Sequence, residues 1–146
     1  MSKTKRLIPI QKYGKHLEQE AAQRLQLLSK RVKQQQEKVT QLQLYSDEYR
    51  SNFSSIGAGG MDMSLVQNYR NFQSQLDALL HTQQSQLNLL LEEYRQHLAL
   101  WTKQYRKVRM YEQLAEKYSL IDLKRQQLIE QKASDDRVSA SHDTNE

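Results

Sequence analysis

Residues 54–62 read SSIGAGGMD. The chain holds only 4 glycines, and three of them, Gly57, Gly59 and Gly60, fall within this stretch. Glycine adopts left-handed backbone angles without a Cβ penalty, as a helix C-cap requires. Just beyond, Asp62 or Ser64 can N-cap a second helix, and Ser64 followed by Gln67 fits a capping box. The stretch therefore predicts the end of one helix, a tip over residues 57–62 and the start of another.

The flanks decide how the two helices pack. Before the glycines, Leu25, Leu28, Val32, Val39, Leu42, Tyr49, Phe53 and Ile56 fit a and d positions of a heptad, with Gln35 and Ser46 in the two gaps. After them the pattern resumes with Leu65, Tyr69, Phe72, Leu76 and Leu79. It then slips by about one residue and runs on through Leu80, Leu87, Leu91, Tyr94, Leu98, Trp101, Tyr105 and Val108. Sustained heptad spacing predicts a coiled coil. Two heptad helices joined by a tight loop pack antiparallel. A flexible linker between two parallel helices is disfavoured, because the linker is short and capped on both sides.

The expected fold is all-α: a long two-helix antiparallel coiled-coil hairpin with unequal arms. Helix one spans about 9–56 and helix two about 64–133, roughly 70 Å and 105 Å at the helical rise. Residues 1–133 form a single domain. The polar tail 134–146 is expected to be disordered. Pro9 and Gly14 make the first turns of helix one irregular.

A tip near Gly59 makes residue i face one at roughly 118 − i. Three expectations follow. Gln34–Gln36 face Gln83 and Gln84, forming either a register-fixing polar layer or a loose solvated stretch. Past about Glu112, helix two has no partner, so Tyr118, Ile121, Leu128 and Ile129 project from a single helix. Lys12 and Lys15 come level with Lys103, Arg106, Lys107 and Arg109. That cluster would suit an acidic partner, or form a solvated face diluted by Glu18, Glu20 and Glu112.

Composition agrees with long helices. Hydrophobic residues are 37%, mean hydropathy is −0.91, and a single Pro leaves few corners. With no cysteine, disulfide and thiolate chemistry are excluded. The longest apolar run is far short of a membrane span, and no signal peptide is visible, so a soluble protein is expected. Net charge is +5, which admits nucleic acid, anionic lipid or acidic protein as partners.

Catalysis is not expected. His16, His81, His97 and His142 lack metal-ligand spacing, and His97 should pair with Glu93 on the helix surface. Neither Glu92–Glu93 nor Asp135–Asp136 can form an acid–base pair, because helix neighbours point to different sides. No phosphate-cradling glycine motif occurs, so no cofactor, metal or small-molecule substrate is expected. Nucleic acid is not expected either. The basic start is short and broken by Leu7, Ile8, Pro9 and Ile10, and the tyrosines fall on seam positions.

Several local patterns, in order, resemble the FliJ family of flagellar type III export proteins, from about Leu17 to Asp136. They are Gln41-Leu42 with Tyr45 and Glu48-Tyr49; the glycine loop leading to Tyr69, Phe72, Leu76 and Asp77; the pair Gln83-Gln84; Trp101 and Lys107; and the closing Glu130-Gln131-Lys132 with Asp135-Asp136. The resemblance implies a cytoplasmic protein, peripheral at the inner face of the membrane at the flagellar base. It implies a stalk, similar to the paired helices of a rotary ATPase γ subunit, within the hexameric export ATPase. The partners implied are that ATPase hexamer, an export-gate membrane protein and export chaperones, with membrane contact only through the gate complex. On this reading Lys103, Arg106, Lys107, Arg109, Tyr118, Ile121 and Ile129 contact the ATPase ring. Phe72, Leu76 and Leu79 look like a gate-docking stripe, although they also fit seam positions. The stalk of a virulence type III secretion system and a generic coiled-coil scaffold are the alternatives.

Overall fold

The computed structural model describes residues 3–57, 60 and 62–143. They form two helices that pack on each other as a hairpin, α1 (Lys3–Gly57) and α2 (Met63–Asp143). Gly60 takes φ +84°, and its N–H donates to the Gly57 carbonyl at 3.4 Å. A side chain at Gly60 would be strained in that left-handed region. The Asp62 carbonyl accepts from the Val66 N–H at 3.1 Å, which makes Asp62 the N-cap and leaves Ser64 inside the helix. The expected role of Gly59 lies outside the described residues.

The chain divides into two compact units, residues 21–101 and residues 1–20 with 102–146. Within the first, Gln35 meets Gln83, Ser46 meets Gln73, and Tyr49 stacks on Tyr69. Within the second, Thr4 meets Asp122, Gln11 meets Tyr111, and Gly14 meets Gln104. Partner numbers fall as residue numbers rise, so the helices are antiparallel. Gln35–Gln83, Tyr49–Tyr69 and Gly14–Gln104 each obey the 118 − i rule.

On α1 the seam follows the expected heptad through Phe53, but Ile56 is exposed. On α2 no slip occurs. Buried and half-buried positions alternate by three and four through Val66, Tyr69, Gln73, Leu76, Leu80, Gln83, Leu87, Leu90, Tyr94, His97, Trp101, Gln104, Val108 and Tyr111. Leu65, Phe72, Leu79, Leu91, Leu98 and Tyr105, expected in the seam, are exposed beside it. The reason is chemical. Each seam glutamine of α2 finds a partner across the interface: Gln73 donates to the Ser46 hydroxyl (3.3 Å), Gln104 donates to the Gly14 carbonyl (3.1 Å), and Gln83 accepts from Gln35 (2.8 Å).

Helix α1 begins at Lys3, not near Pro9. Proline removes one helical hydrogen bond. Contacts beyond it offset part of that loss. The Thr4 hydroxyl donates to Asp122 at 2.8 Å, and the Lys3 ammonium lies 5.5 Å from the Tyr118 ring centroid. Pairing therefore reaches Asp122 and does not end at Glu112. Gly14 is buried because a Cβ there would already touch the Tyr111 ring at 3.4 Å. Helix α2 also continues past Ala133 to Asp143, over a segment expected to be disordered. After Gly60 the sequence contains neither Gly nor Pro, so nothing stops propagation of a helix already nucleated.

The Gln35–Gln83 layer generates a prediction. Gln35→Ala leaves the buried Gln83 amide without its partner and should cost about 1–3 kcal/mol in urea unfolding. Replacing both by Leu should raise stability while loosening register, seen as heterogeneous cross-linking between cysteines placed on the two helices.

Candidate functional site

The seam residues nearest the tip are aromatic. The Tyr69 ring stacks on Tyr49, with centroids 4.1 Å apart and planes 3° apart, and on Phe53 at 3.8 Å and 20°. Phe72 leans on Tyr49 at 4.7 Å and 54°. Offset and tilted rings in such contact add about 0.5–1.5 kcal/mol beyond burial. Burial, and then the neighbouring Tyr49, push the Tyr69 hydroxyl above its ordinary value, while the Phe53 backbone and Arg50 pull the other way.

This stack separates the three residues of the expected gate stripe. Leu76 is 6% exposed and belongs to the seam. Phe72 is 40% exposed and Leu79 45%, and neither occupies an a or d position. With Leu65, 53% exposed, they fall at seven-residue intervals, so they form one apolar line along a flank of α2. Sequence reasoning missed Leu65 as an outward residue because it was counted into the seam. The polar seam residue at Gln73 was the signal that could have corrected this.

The basic cluster lies in the other unit. Gln11, Lys12, Lys15, Val108 and Glu112 line a shallow depression of about 220 Å³, which sets the first basic run beside Val108 and Glu112 of α2. Lys103, Arg106 and Lys107 are exposed. Arg109 pairs with Glu112 at 3.8 Å, so one acid sits among the cations. Tyr118 is half-buried under Lys3, and Ile121 is at the edge of the paired region. Leu128 and Ile129 lie further on, 66% and 69% exposed, past the Thr4–Asp122 hydrogen bond.

Two of the groups considered for chemistry are held in surface pairs. His16 pairs with Glu20 at 3.1 Å, and Glu92 with Arg95 at 3.2 Å. His97 occupies a half-buried seam position, and no ion pair joins it to Glu93 among the described residues. No group of three or more His, Cys, Asp or Glu is placed to hold a metal among the described residues. Nor is any helix there long and apolar enough to cross a membrane.

What the surface offers is an apolar line, a basic cluster and an unpaired helix with exposed aliphatic residues. These are the means by which a coiled-coil hairpin engages other proteins. The chain belongs to the FliJ family: the family model described as "Flagellar FliJ protein" matches residues 2–146. It is thus a component associated with flagellar export, in a family that is non-catalytic. A search of curated proteins and one of solved structures found no match.

The burial difference predicts a stability difference. Leu76→Ala should cost about 2–4 kcal/mol, whereas Leu79→Ala and Leu65→Ala should stay within about 0.5 kcal/mol, by thermal or urea unfolding. The raised Tyr69 value gives a pH prediction. A hydroxyl that holds its proton more tightly when folded contributes in full below the ordinary value of 10.0, and that contribution is lost as pH climbs through the raised value. Melting temperature should therefore fall less above pH 10.0 for Tyr69→Phe than for the parent.

Proposed function

We propose that the protein is the stalk of the flagellar export apparatus. It binds the hexameric export ATPase, promotes assembly of its ring and couples the ring to the membrane export gate. Membership of the FliJ family across residues 2–146 carries this reading. The basic cluster of Lys103, Arg106, Lys107 and Arg109, with Tyr118, Ile121 and Ile129, contacts the ring. Phe72 and Leu79 dock the gate, with Leu76 holding the helix beneath them. Export chaperones are further partners. The protein acts in the cytoplasm, peripheral to the inner membrane at the flagellar base and reaching it only through the gate complex.

Two physical features support the assignment of ends. Ile129 and Leu128 are exposed, past the Thr4–Asp122 hydrogen bond, and such aliphatic residues favour a second protein surface. The line of Leu65, Phe72 and Leu79 is too apolar for a flank that only faces water.

The test is hydrolysis by the purified flagellar export ATPase, with and without this protein, alongside hexamer counting by negative-stain microscopy. Faster turnover with more rings is expected, and a double Lys107→Glu, Ile129→Asp variant should lose most of both. A folded, helical protein with no effect on either readout would point to an adaptor or chaperone role instead. For the gate, Phe72→Ala and Leu79→Ala should abolish binding while leaving helicity intact.

A further inference from the structure

The positive charge of this chain is gathered at one place. Residues 3–17 hold five cations, Lys3, Lys5, Arg6, Lys12 and Lys15, and no acid. That equals the net charge of +5, so the other residues together are neutral. Beyond Arg125 the balance reverses: residues 126–143 hold four acids against two cations.

Each of these segments joins its charge to exposed aliphatic side chains. At helical spacing Ile8, Lys12 and Lys15 share one face of α1, and all three are exposed. Lys12 and Lys15 also line the depression they form with Gln11, Val108 and Glu112. On α2, Leu128, Ile129, Asp135, Asp136 and Asp143 share one exposed face, on which Lys132 is the one cation. The spacings match. Ile8 precedes Lys15 by seven residues, and Leu128 and Ile129 precede Asp135 and Asp136 by seven. Two such helices running the same way lay apolar on apolar, and acid on lysine about 10 Å further along.

The chain cannot make this match with itself. Helix α2 runs unbroken to Asp143, so Asp135 and Asp136 sit roughly 20 Å past Asp122, which Thr4 holds at 2.8 Å. A second copy can make it. Each copy carries both the cationic seat and the anionic insert. Because α2 is antiparallel to its own α1, a tail laid parallel to the other copy's α1 relates the two by a two-fold axis, and both tails dock at once.

We infer that the protein forms a two-fold homodimer in which the α2 tail of each copy lies on the basic start of the other copy's α1. Leu128 and Ile129 meet Ile8, and Asp135 and Asp136 meet Lys12 and Lys15. The contact covers Ile129. If the ring reading above holds, the dimer is therefore a resting form that cannot engage the ring; the dimer itself does not rest on that reading.

The test is sedimentation velocity of the full chain at rising concentration, in about 50 mM and about 500 mM salt. A dimer is expected at low salt, weakened at high salt because exposed ion pairs are screened. The pair Asp135→Lys with Asp136→Lys, and the pair Lys12→Asp with Lys15→Asp, should each raise the dissociation constant about tenfold or more with helicity unchanged. An equal mixture of the two variants should restore the dimer, since opposite charges then meet at both contacts. Leu79→Ala should leave it intact. A monomer at every concentration would overturn the inference. So would a dimer that survives both reversals, variants that stay monomeric when mixed, or a dimer lost in Leu79→Ala, which would move the contact to the apolar line. Hydrolysis by the export ATPase enters none of these readouts, so the two readings fail separately.

Discussion

The glutamine bonds across the seam hold the rest of this structure in place. A hairpin of two helices offers little core, and leucines alone tolerate a shift of one heptad. Amides do not. Moving α2 by seven residues would set Gln83 against an aliphatic partner and cost the full desolvation of an unpaired amide. In the native register Gln35 reaches both the side chain and the carbonyl of Gln83, at 2.8 and 2.9 Å. Ser46, fully buried, receives Gln73, and the Gly14 carbonyl receives Gln104. Register in turn decides which residues flank the seam, and so which are available to partners.

Local preference and packing disagree at two places, and packing prevails at both. Pro9 should end a helix, yet α1 continues through it because Lys3 and Thr4 gain Tyr118 and Asp122 as partners. Gly14 is a poor helix former in isolation. Here the missing Cβ makes room for the Tyr111 ring, and the Gly14 carbonyl accepts a hydrogen bond from Gln104. Together they extend the paired region to Asp122. The functional consequence is a shift in assignment: Tyr118 is a half-buried packing residue as much as a candidate contact, while Leu128 and Ile129 have no such role within the chain.

Much of this was legible in the sequence. Glycines clustered at one point locate the tip, and the 118 − i rule sets Gln34–Gln36 against Gln83 and Gln84, within which Gln35 bonds Gln83. The α1 seam was legible because its gaps, Gln35 and Ser46, interrupt a regular apolar pattern. The α2 seam was misread for the opposite reason. Three of its polar positions, Gln73, His97 and Gln104, have an apolar neighbour in Phe72, Leu98 and Tyr105, so following hydrophobicity led first along one flank and then along the other. Apolar periodicity reports the average apolar face, not the line of contact. Gln73 Oε1, without a hydrogen-bond partner among the described residues, was not legible at all, since it depends on how the amide is turned at the seam.

That misreading has a physical meaning of its own. A strict a and d stripe suffices for a two-helix seam, whereas a helix facing a bundle core carries a third apolar position in each heptad. From Leu65 to Leu80, α2 has that third position, in Leu65, Phe72 and Leu79, and α1 cannot cover it. The stretch is therefore patterned for one more neighbour than the chain supplies. On the opposite flank the corresponding positions are Arg70 and Asp77, charged and partly paired. The two flanks therefore differ in chemistry, one apolar and one charged, and the seam between them fixes both in place.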